Sequence, residues 1–79
     1  MIKLTLHTER RLAERKIALA WVEAAVIAAD WTEADPDQAL TRSFKAIVEF
    51  GGRVLRVVHR PDGADILVVT AYFDRGAKR

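Results

Sequence analysis

The chain has 79 residues, with 13 Lys and Arg against 11 Asp and Glu, a formal net charge of +2 and no cysteine. This length predicts a single domain over residues 1–79 with a thin core, and the lack of cysteine excludes disulfide frameworks, cysteine-ligated zinc and thiol nucleophiles. The first residues lack the apolar core of a signal peptide, and no apolar run is long enough to cross a bilayer. We therefore expect a cytoplasmic protein without a membrane segment.

A strand followed at once by a helix is predicted at the start of the chain. Apolar and polar side chains alternate over residues 2–6, which is typical of a half-buried strand, and we expect the strand to end at His7. Thr8 stands at the position of a helix N-cap, Glu9 lies in the first turn, and a helical run continues through Arg15. The pattern predicts a strand-to-helix corner at residues 7–8.

A second amphipathic helix is predicted over residues 18–29. Apolar residues recur there at helical spacing, whereas Glu23 and Asp30 lie off the apolar stripe. No Gly or Pro separates Arg15 from Trp21, so two separate helices and one helix bent near residues 16–17 are both compatible with the pattern.

The rest of the chain reads as β structure. Residues 30–37 predict a loop, with a short edge strand over 31–33 as the alternative. Alternation over residues 42–50 predicts a strand, and the Gly51-Gly52 pair predicts a two-residue hairpin turn. Residues 53–60 form the next predicted strand.

The last predicted strand, residues 66–73, follows a tight turn at residues 61–63 and is apolar enough to lie inside the sheet. Residues 74–79 form a short basic tail. The predicted fold class is therefore α+β, with an N-terminal strand and two helices, or one bent helix, packed on one face of an antiparallel β-sheet.

The two turns also predict which side chains share a face of the sheet. The helix-facing side is expected to carry Phe44, Ala46, Val48, Leu55, Val57, His59, Ile66, Val68, Thr70 and Tyr72. The opposite, open side is expected to carry Lys45, Ile47, Glu49, Val54, Arg56, Val58, Arg60, Leu67, Val69, Ala71 and Phe73. Because this open side is apolar and basic, a partner protein, a second copy of the chain or RNA is expected to cover it.

The strongest candidate site lies at the first helix. Arg11 and Arg15 follow His7 at intervals of four, which puts all three on one helical face near free backbone N–H groups that favour phosphate. Thr70 and Tyr72 are expected to join His7 and Arg11 at one end of the sheet. The alternative is structural, with His7 hydrogen-bonded locally and the arginines paired with carboxylates.

Other kinds of site have little support in the sequence. The two His residues are far apart and no carboxylates stand at ligand spacing, so we expect no metal. Ser43 is the only serine and has no nucleophile-elbow motif, and no glycine-rich phosphate loop is present, so we expect no nucleotide cofactor. His59 is interpreted as a hydrogen-bonded residue at the edge of the core, and Trp21 and Trp31 as packing residues.

Segments 6–17, 53–60 and 68–72 resemble the small bacterial family called domain of unknown function 4258, and the resemblance covers nearly the whole chain. That family is similar to BrnT-type ribonuclease toxins and, more remotely, to the RelE/ParE toxin fold. The resemblance implies two helices on one face of an antiparallel sheet and RNA cleavage without a metal. Five residues match positions that the family keeps: His7, Arg11, Arg15, Thr70 and Tyr72.

Two functions are weighed from these observations. The first is an endoribonuclease toxin, neutralised by an antitoxin protein, in which the ribose 2′-hydroxyl attacks the adjacent phosphate. His7 would act as general base or acid, Arg11 and Arg56 would stabilise the developing charge, and Tyr72 would orient the phosphate. Further RNA contacts are expected from Arg15, Arg56, Arg60 and Lys45.

The second function is a non-catalytic module that forms a homodimer or binds another protein through the open side of the sheet. The residues expected at the centre of that interface are Ile47, Val54, Leu67, Val69 and Phe73.

Overall fold

An α+β fold is formed by residues 1–35 and 39–77, which are the residues that the computed structural model describes. Parts of the predicted loop and of the predicted basic tail, residues 36–38 and 78–79, lie outside the described residues. In chain order the elements are β1 (Ile2–Leu4), α1 (Leu6–Glu14), α2 (Leu19–Ile27), β2 (Trp31–Asp35), β3 (Leu40–Ile47), a 3₁₀ turn (Val48–Phe50), β4 (Arg53–Asp62) and β5 (Asp65–Phe73).

The strands of the described residues form one sheet in the order β1-β5-β4-β3-β2. The sheet is mixed rather than antiparallel throughout, because β1 pairs with β5 in the parallel direction. The predicted interior position of β5 is confirmed, since it lies between β1 and β4. The predicted loop was wrong over residues 31–35, because the alternative, an edge strand over 31–33, is present and extends to Asp35.

Helix α1 begins earlier than predicted. Its N-cap is Thr5, whose hydroxyl oxygen accepts a hydrogen bond of 3.1 Å from the Thr8 backbone N–H. Thr8 lies inside the helix, is buried, and donates its own hydroxyl to the carbonyl of Val69 on β5 at 3.1 Å. The prediction of Thr8 as N-cap was wrong because Thr5 caps three residues earlier, and β1 consequently ends at Leu4, leaving His7 in the first turn of α1.

Two separate helices, rather than one bent helix, follow β1. Lys16 has a left-handed backbone conformation with φ of 56°. The Ile17 N–H donates to the Leu12 carbonyl and the Lys16 N–H to the Ala13 carbonyl, which is the Schellman arrangement that ends a helix. Ile17 and Leu12 are both buried, so the helix end is also fixed by an apolar contact.

Both helices pack on one face of the sheet and enclose the core. Its buried members are Leu12, Ile17, Val22, Ala25, Ile47, Leu55, Val57, Val68 and Ala71. Trp21 packs against this core and contacts the rings of Phe50 and Phe73, with centroids 5.7 Å and 6.1 Å away. The interpretation of Trp21 as a packing residue is thereby confirmed.

The connection from β3 to β4 differs from the predicted two-residue hairpin. Ile47 pairs with Arg53, and the 3₁₀ turn together with Gly51 and Gly52, both at positive φ, closes the loop. Because side chains alternate between faces, this different register reverses β3 relative to the prediction. Ile47 therefore lies under the helices and Phe44 lies on the open face.

A β-bulge changes the predicted register of β5 as well. His59 pairs with Val68 whereas Val58 pairs with Thr70, so Val69 is the extra residue. Before the bulge, the residues of β5 predicted to face the helices do face them, as the complete burial of Val68 shows. Beyond the bulge the faces are exchanged.

As a result, Ala71 and Phe73 face the helices, and Thr70 and Tyr72 lie on the open face, opposite to the prediction.

The interpretation of His59 as a hydrogen-bonded residue at the edge of the core is confirmed. A bond of 2.7 Å joins its Nε2 to the hydroxyl of buried Ser43 on β3. Partial burial lowers the pKa of the His59 imidazole below its ordinary value, because the charged form loses hydration.

Candidate active site on the open sheet face

A row of aromatic and arginine side chains crosses four strands on the face opposite the helices. Trp31 of β2 pairs with Phe44 of β3, Phe44 pairs with Arg56 of β4, and Arg56 pairs with Tyr72 of β5. We call these four residues the aromatic–arginine row. Cross-strand partners share a face, so the row is a direct product of the observed register.

The row is closely packed. The Trp31 and Phe44 rings stack with centroids 4.8 Å apart and an interplanar angle of 6°. The Arg56 guanidinium carbon lies 5.7 Å from the Phe44 ring centre and 5.5 Å from the Tyr72 ring centre. These distances are in the range of cation–π contacts, so Arg56 is held between two rings.

Asp74 completes the surroundings of Arg56. Arg56 donates from a terminal guanidinium nitrogen to the Asp74 carboxylate at 3.1 Å. Arg56 Nε is buried without a hydrogen-bond partner among the described residues. The Arg56 side chain is therefore fixed by the rings and one carboxylate, with its guanidinium at the surface of the sheet.

Arg15, the C-cap residue of α1, approaches the same tyrosine from the edge of β5. It donates a hydrogen bond of 2.9 Å to the Ala71 carbonyl and lies 3.5 Å from the Thr70 hydroxyl. Its guanidinium carbon is 6.0 Å from the Tyr72 ring centre. The C-terminal end of helix α1 can approach β5 here because β1 pairs with β5 only as far as Val68. The carbonyls of β5 beyond Val68 are therefore not bonded to β1.

Tyr72 is therefore flanked by two guanidinium groups. Thr70 and Tyr72 are both half-exposed, so a ligand on the open face can reach their hydroxyls. Among the described residues, Arg56 is paired with the Asp74 carboxylate and Arg15 donates to the Ala71 carbonyl, so the local charge is positive. Such a cluster can bind a phosphate group and stabilise additional negative charge on it, while the phenol donates a hydrogen bond or a proton.

Two residues of the predicted site lie elsewhere. His7 and Arg11 are exposed on α1, and Arg11 forms an ion pair of 3.3 Å with Glu14, as the structural alternative anticipated. His7 precedes Arg15 by eight residues, or about 12 Å along a helix axis. Thr70 and Tyr72 therefore contact Arg15. The expected group of His7, Arg11, Thr70 and Tyr72 is not formed.

The predicted RNA-contact residues are also divided between the faces. Lys45 lies on the helix side, where its ammonium donates to the Ala28 carbonyl at the end of α2 at 3.0 Å. Its expected position on the open face was wrong because β3 is reversed. Arg60 is exposed on the open face, four residues along β4 from Arg56.

Other cations of the open face are paired with carboxylates at the two edges of the sheet. Arg42 lies 3.4 Å from Glu33. Lys3 of β1 contacts Asp62 and Asp65, and hydrogen bonding to Asp62 is the main reason that the pKa of Lys3 is raised. The group of Arg15, Arg56 and Tyr72 is thus flanked on both sides by cations whose charge is neutralised by carboxylates.

Sequence reasoning missed three members of this site. The interpretation of Trp31 as a packing residue is confirmed by its stacking on Phe44, but its place beside the site was not predicted. Phe44 was expected under the helices, and Asp74 was assigned to the tail. Their common position depends on strand register, and the alternating pattern of a strand does not distinguish one register from another. Arg56 was a candidate because of its charge and its predicted place on the open side, and Tyr72 because of its hydroxyl and the family resemblance.

A comparison with known protein families gives a match. Residues 4–73 match the model of the family described as domain of unknown function (DUF4258). The chain belongs to this family. No match was found among curated proteins or among solved structures.

Metal-ligand clusters and membrane-spanning helices are both absent from the described residues. Within residues 1–35 and 39–77, no group of three or more His, Asp or Glu side chains is placed to hold a metal ion. In the same ranges, no helix has the length and apolar character needed to span a membrane.

Proposed function

We propose that this protein is an endoribonuclease that needs no metal and cleaves RNA on the open face of its sheet. The observation that carries the proposal is the position of Tyr72 between the guanidinium groups of Arg15 and Arg56. Segments 6–17, 53–60 and 68–72 resemble the family called domain of unknown function 4258, and the similarity of that family to BrnT-type ribonuclease toxins favours the same choice. We further propose that it acts in the cytoplasm as a toxin that an antitoxin protein neutralises.

The chemistry follows from the groups in this cluster. The ribose 2′-hydroxyl attacks the adjacent phosphorus, the bond to the 5′-oxygen breaks, and the products are a 2′,3′-cyclic phosphate and a 5′-hydroxyl. Arg15 and Arg56 stabilise the extra negative charge that develops on the phosphate oxygens. The Tyr72 phenol donates its proton to the leaving 5′-oxygen, and the proton of the 2′-hydroxyl passes to water.

Substitutions of single functional groups test the proposal. Single-stranded RNA is incubated with the purified chain in the presence of EDTA, and initial cleavage rates are measured for wild type, Tyr72→Phe, Arg15→Gln and Arg56→Gln. We expect each substitution to lower the rate about 10²–10³-fold, the usual effect of losing one group that stabilises the transition state. Tyr72→Phe removes only the hydroxyl and therefore leaves the packing of the row intact.

His7→Gln and Arg11→Gln serve as matched controls on α1, and we expect them to change the rate by a few-fold at most. Melting temperatures of all variants distinguish loss of chemistry from loss of folding. Intact RNA after incubation with wild type would contradict the proposal. Loss of cleavage in His7→Gln with full activity in Tyr72→Phe would move the site to the helix.

The alternative function, a dimerisation module using the open face, has weaker support. Two of its five expected interface residues, Ile47 and Phe73, belong to or pack against the core on the helix side.

A further inference from the structure

A second surface feature lies on the helix side of the sheet, away from the aromatic–arginine row. It is a groove of about 560 Å³ between α2 and the edge strand β1. The strand side of the groove is apolar and includes Met1, which is 91% exposed. The sheet itself separates this groove from the open face that carries Tyr72.

Helix α2 presents a stripe along its whole length to the groove. Leu19, Glu23, Val26 and Ile27 line it, and the spacing of these residues corresponds to one helical face. Leu19 is 48% exposed and Ile27 is 78% exposed, so two of the three apolar members of the stripe are uncovered, whereas Val26 packs partly against the core. A helix of nine residues is about 13 Å long, which sets the length of the groove.

The charge of the groove is opposite to that of the whole chain. Among the residues that line it, Glu9 and Glu23 carry exposed carboxylates, and none is Lys or Arg. The amine of Met1, the one cation at the groove, is paired with Asp65 at 3.3 Å. In a chain with a net charge of +2, the groove is thus an apolar surface with an acidic rim.

We propose that this groove binds a basic amphipathic α-helix of a partner protein, about three turns long. Apolar side chains spaced three and four residues apart would pack against Leu19, Val26 and Ile27, as in other helix-in-groove complexes. Lys or Arg side chains on the flanks of that helix would face Glu9 and Glu23. The helix would lie beside α2 and cover the apolar stripe that α2 leaves exposed.

A synthetic peptide provides the probe. It is a fluorescein-labelled helix of about 14 residues that contains only Leu and Lys, with Leu at helical i, i+3, i+4 spacing. A comparison peptide has Glu in place of every Lys. Dissociation constants are measured by anisotropy with the full 79-residue chain, and the contact surface is mapped by backbone amide shifts in ¹⁵N-labelled protein. We expect the Lys peptide to bind at least ~10-fold more tightly than the Glu peptide. The shifts should be confined to the segments that line the groove, which are α2, β1, the first turns of α1 and the start of β5.

Variants of exposed residues localise the interaction. We expect Ile27→Ser and the double substitution Glu9→Lys with Glu23→Lys each to weaken binding of the Lys peptide about 10-fold. Val48→Ser is the matched control, because Val48 is 82% exposed and does not line the groove. It should leave the dissociation constant unchanged. Melting temperatures confirm that the variants are folded.

Several results would overturn the proposal. These are equal affinity for the two peptides, shifts on the open face of the sheet, and binding that Ile27→Ser does not weaken. Sedimentation velocity tests a second copy of the chain as the occupant. A wild-type dimer that Ile27→Ser dissociates would mean that the groove is covered by that copy and not by a partner helix.

Discussion

Arg56 shows how one charged side chain can be part of both the packing and the chemistry of a sheet. Its guanidinium lies between the rings of Phe44 on β3 and Tyr72 on β5, and one terminal nitrogen donates to the Asp74 carboxylate. An arginine held in this way loses little side-chain entropy when it binds phosphate, because its conformation is already restricted. Lysine would be a poor substitute for Arg56, because the two rings pack against the planar guanidinium group, which lysine lacks.

His59 leads to a prediction for pH dependence. Burial lowers the pKa of its imidazole in the folded chain, whereas the unfolded chain titrates near 6.5. As pH falls through 6.5 the unfolded chain binds the proton more readily than the folded chain, so the free energy of unfolding decreases. We expect urea unfolding to show lower stability at pH 5.5 than at pH 7.5, and His59→Gln to reduce this difference.

His7→Gln is the control for that experiment, because His7 is exposed. It should keep the wild-type difference between the two pH values. A pH dependence that His59→Gln leaves unaltered would assign the effect to other groups.

At the scale of elements, the two helices depend on one unusual residue. Lys16 takes a left-handed conformation that glycine adopts readily and other residues adopt at a cost. We expect Lys16→Gly to raise the free energy of unfolding by about 0.5–1 kcal/mol, since the strain is removed while the Schellman hydrogen bonds are kept. Chemical denaturation measures the change.

Ala13→Gly is the matched substitution within α1, where the backbone is helical. It should lower the free energy of unfolding by about 1 kcal/mol. If Lys16→Gly also destabilised the protein, the long side chain of Lys16, and not its backbone, would be the feature that matters.

The β-bulge at Val69 decides the position of the candidate site. Without the extra residue, the face alternation set by Val68 would continue and Tyr72 would lie under the helices. The bulge instead brings Tyr72 beside Arg56 on the open face. Thr8 hydrogen-bonds the Val69 carbonyl at this point, so helix α1 supports the irregularity that forms the site.

The whole molecule has one thin core with a different candidate surface on each side. Leu55 lies at its centre on β4 and is completely buried. We expect Leu55→Ala to lower the free energy of unfolding by about 2–5 kcal/mol, because a cavity remains where the side chain was. For a domain of this size that is a large part of the total stability.

Denaturant titration tests this expectation, with Val48→Ala as the control. Val48 is exposed, so its truncation should change stability by less than about 0.5 kcal/mol. A cost below 1 kcal/mol for Leu55→Ala would indicate a core that rearranges to fill the space.

Much of the fold could be read from the sequence by itself. Local patterning predicted the α+β class, both helical segments and the strands from residue 42 onward, because periodicity is a property of short segments. The sequence left open whether α1 and α2 are separate. Lys16 ends α1 in a left-handed conformation, and the usual sequence signal for such a helix end, a glycine, is missing.

Only the tertiary structure decided which residues meet. A 3₁₀ turn before Gly51 reversed β3, and one extra residue in β5 reversed the end of that strand. Each change moves side chains to the other face because the period of a strand is two. The group of Arg15, Arg56 and Tyr72 therefore depends on strand pairing and on helix docking over long sequence separations, and neither is encoded in the local pattern of any one segment.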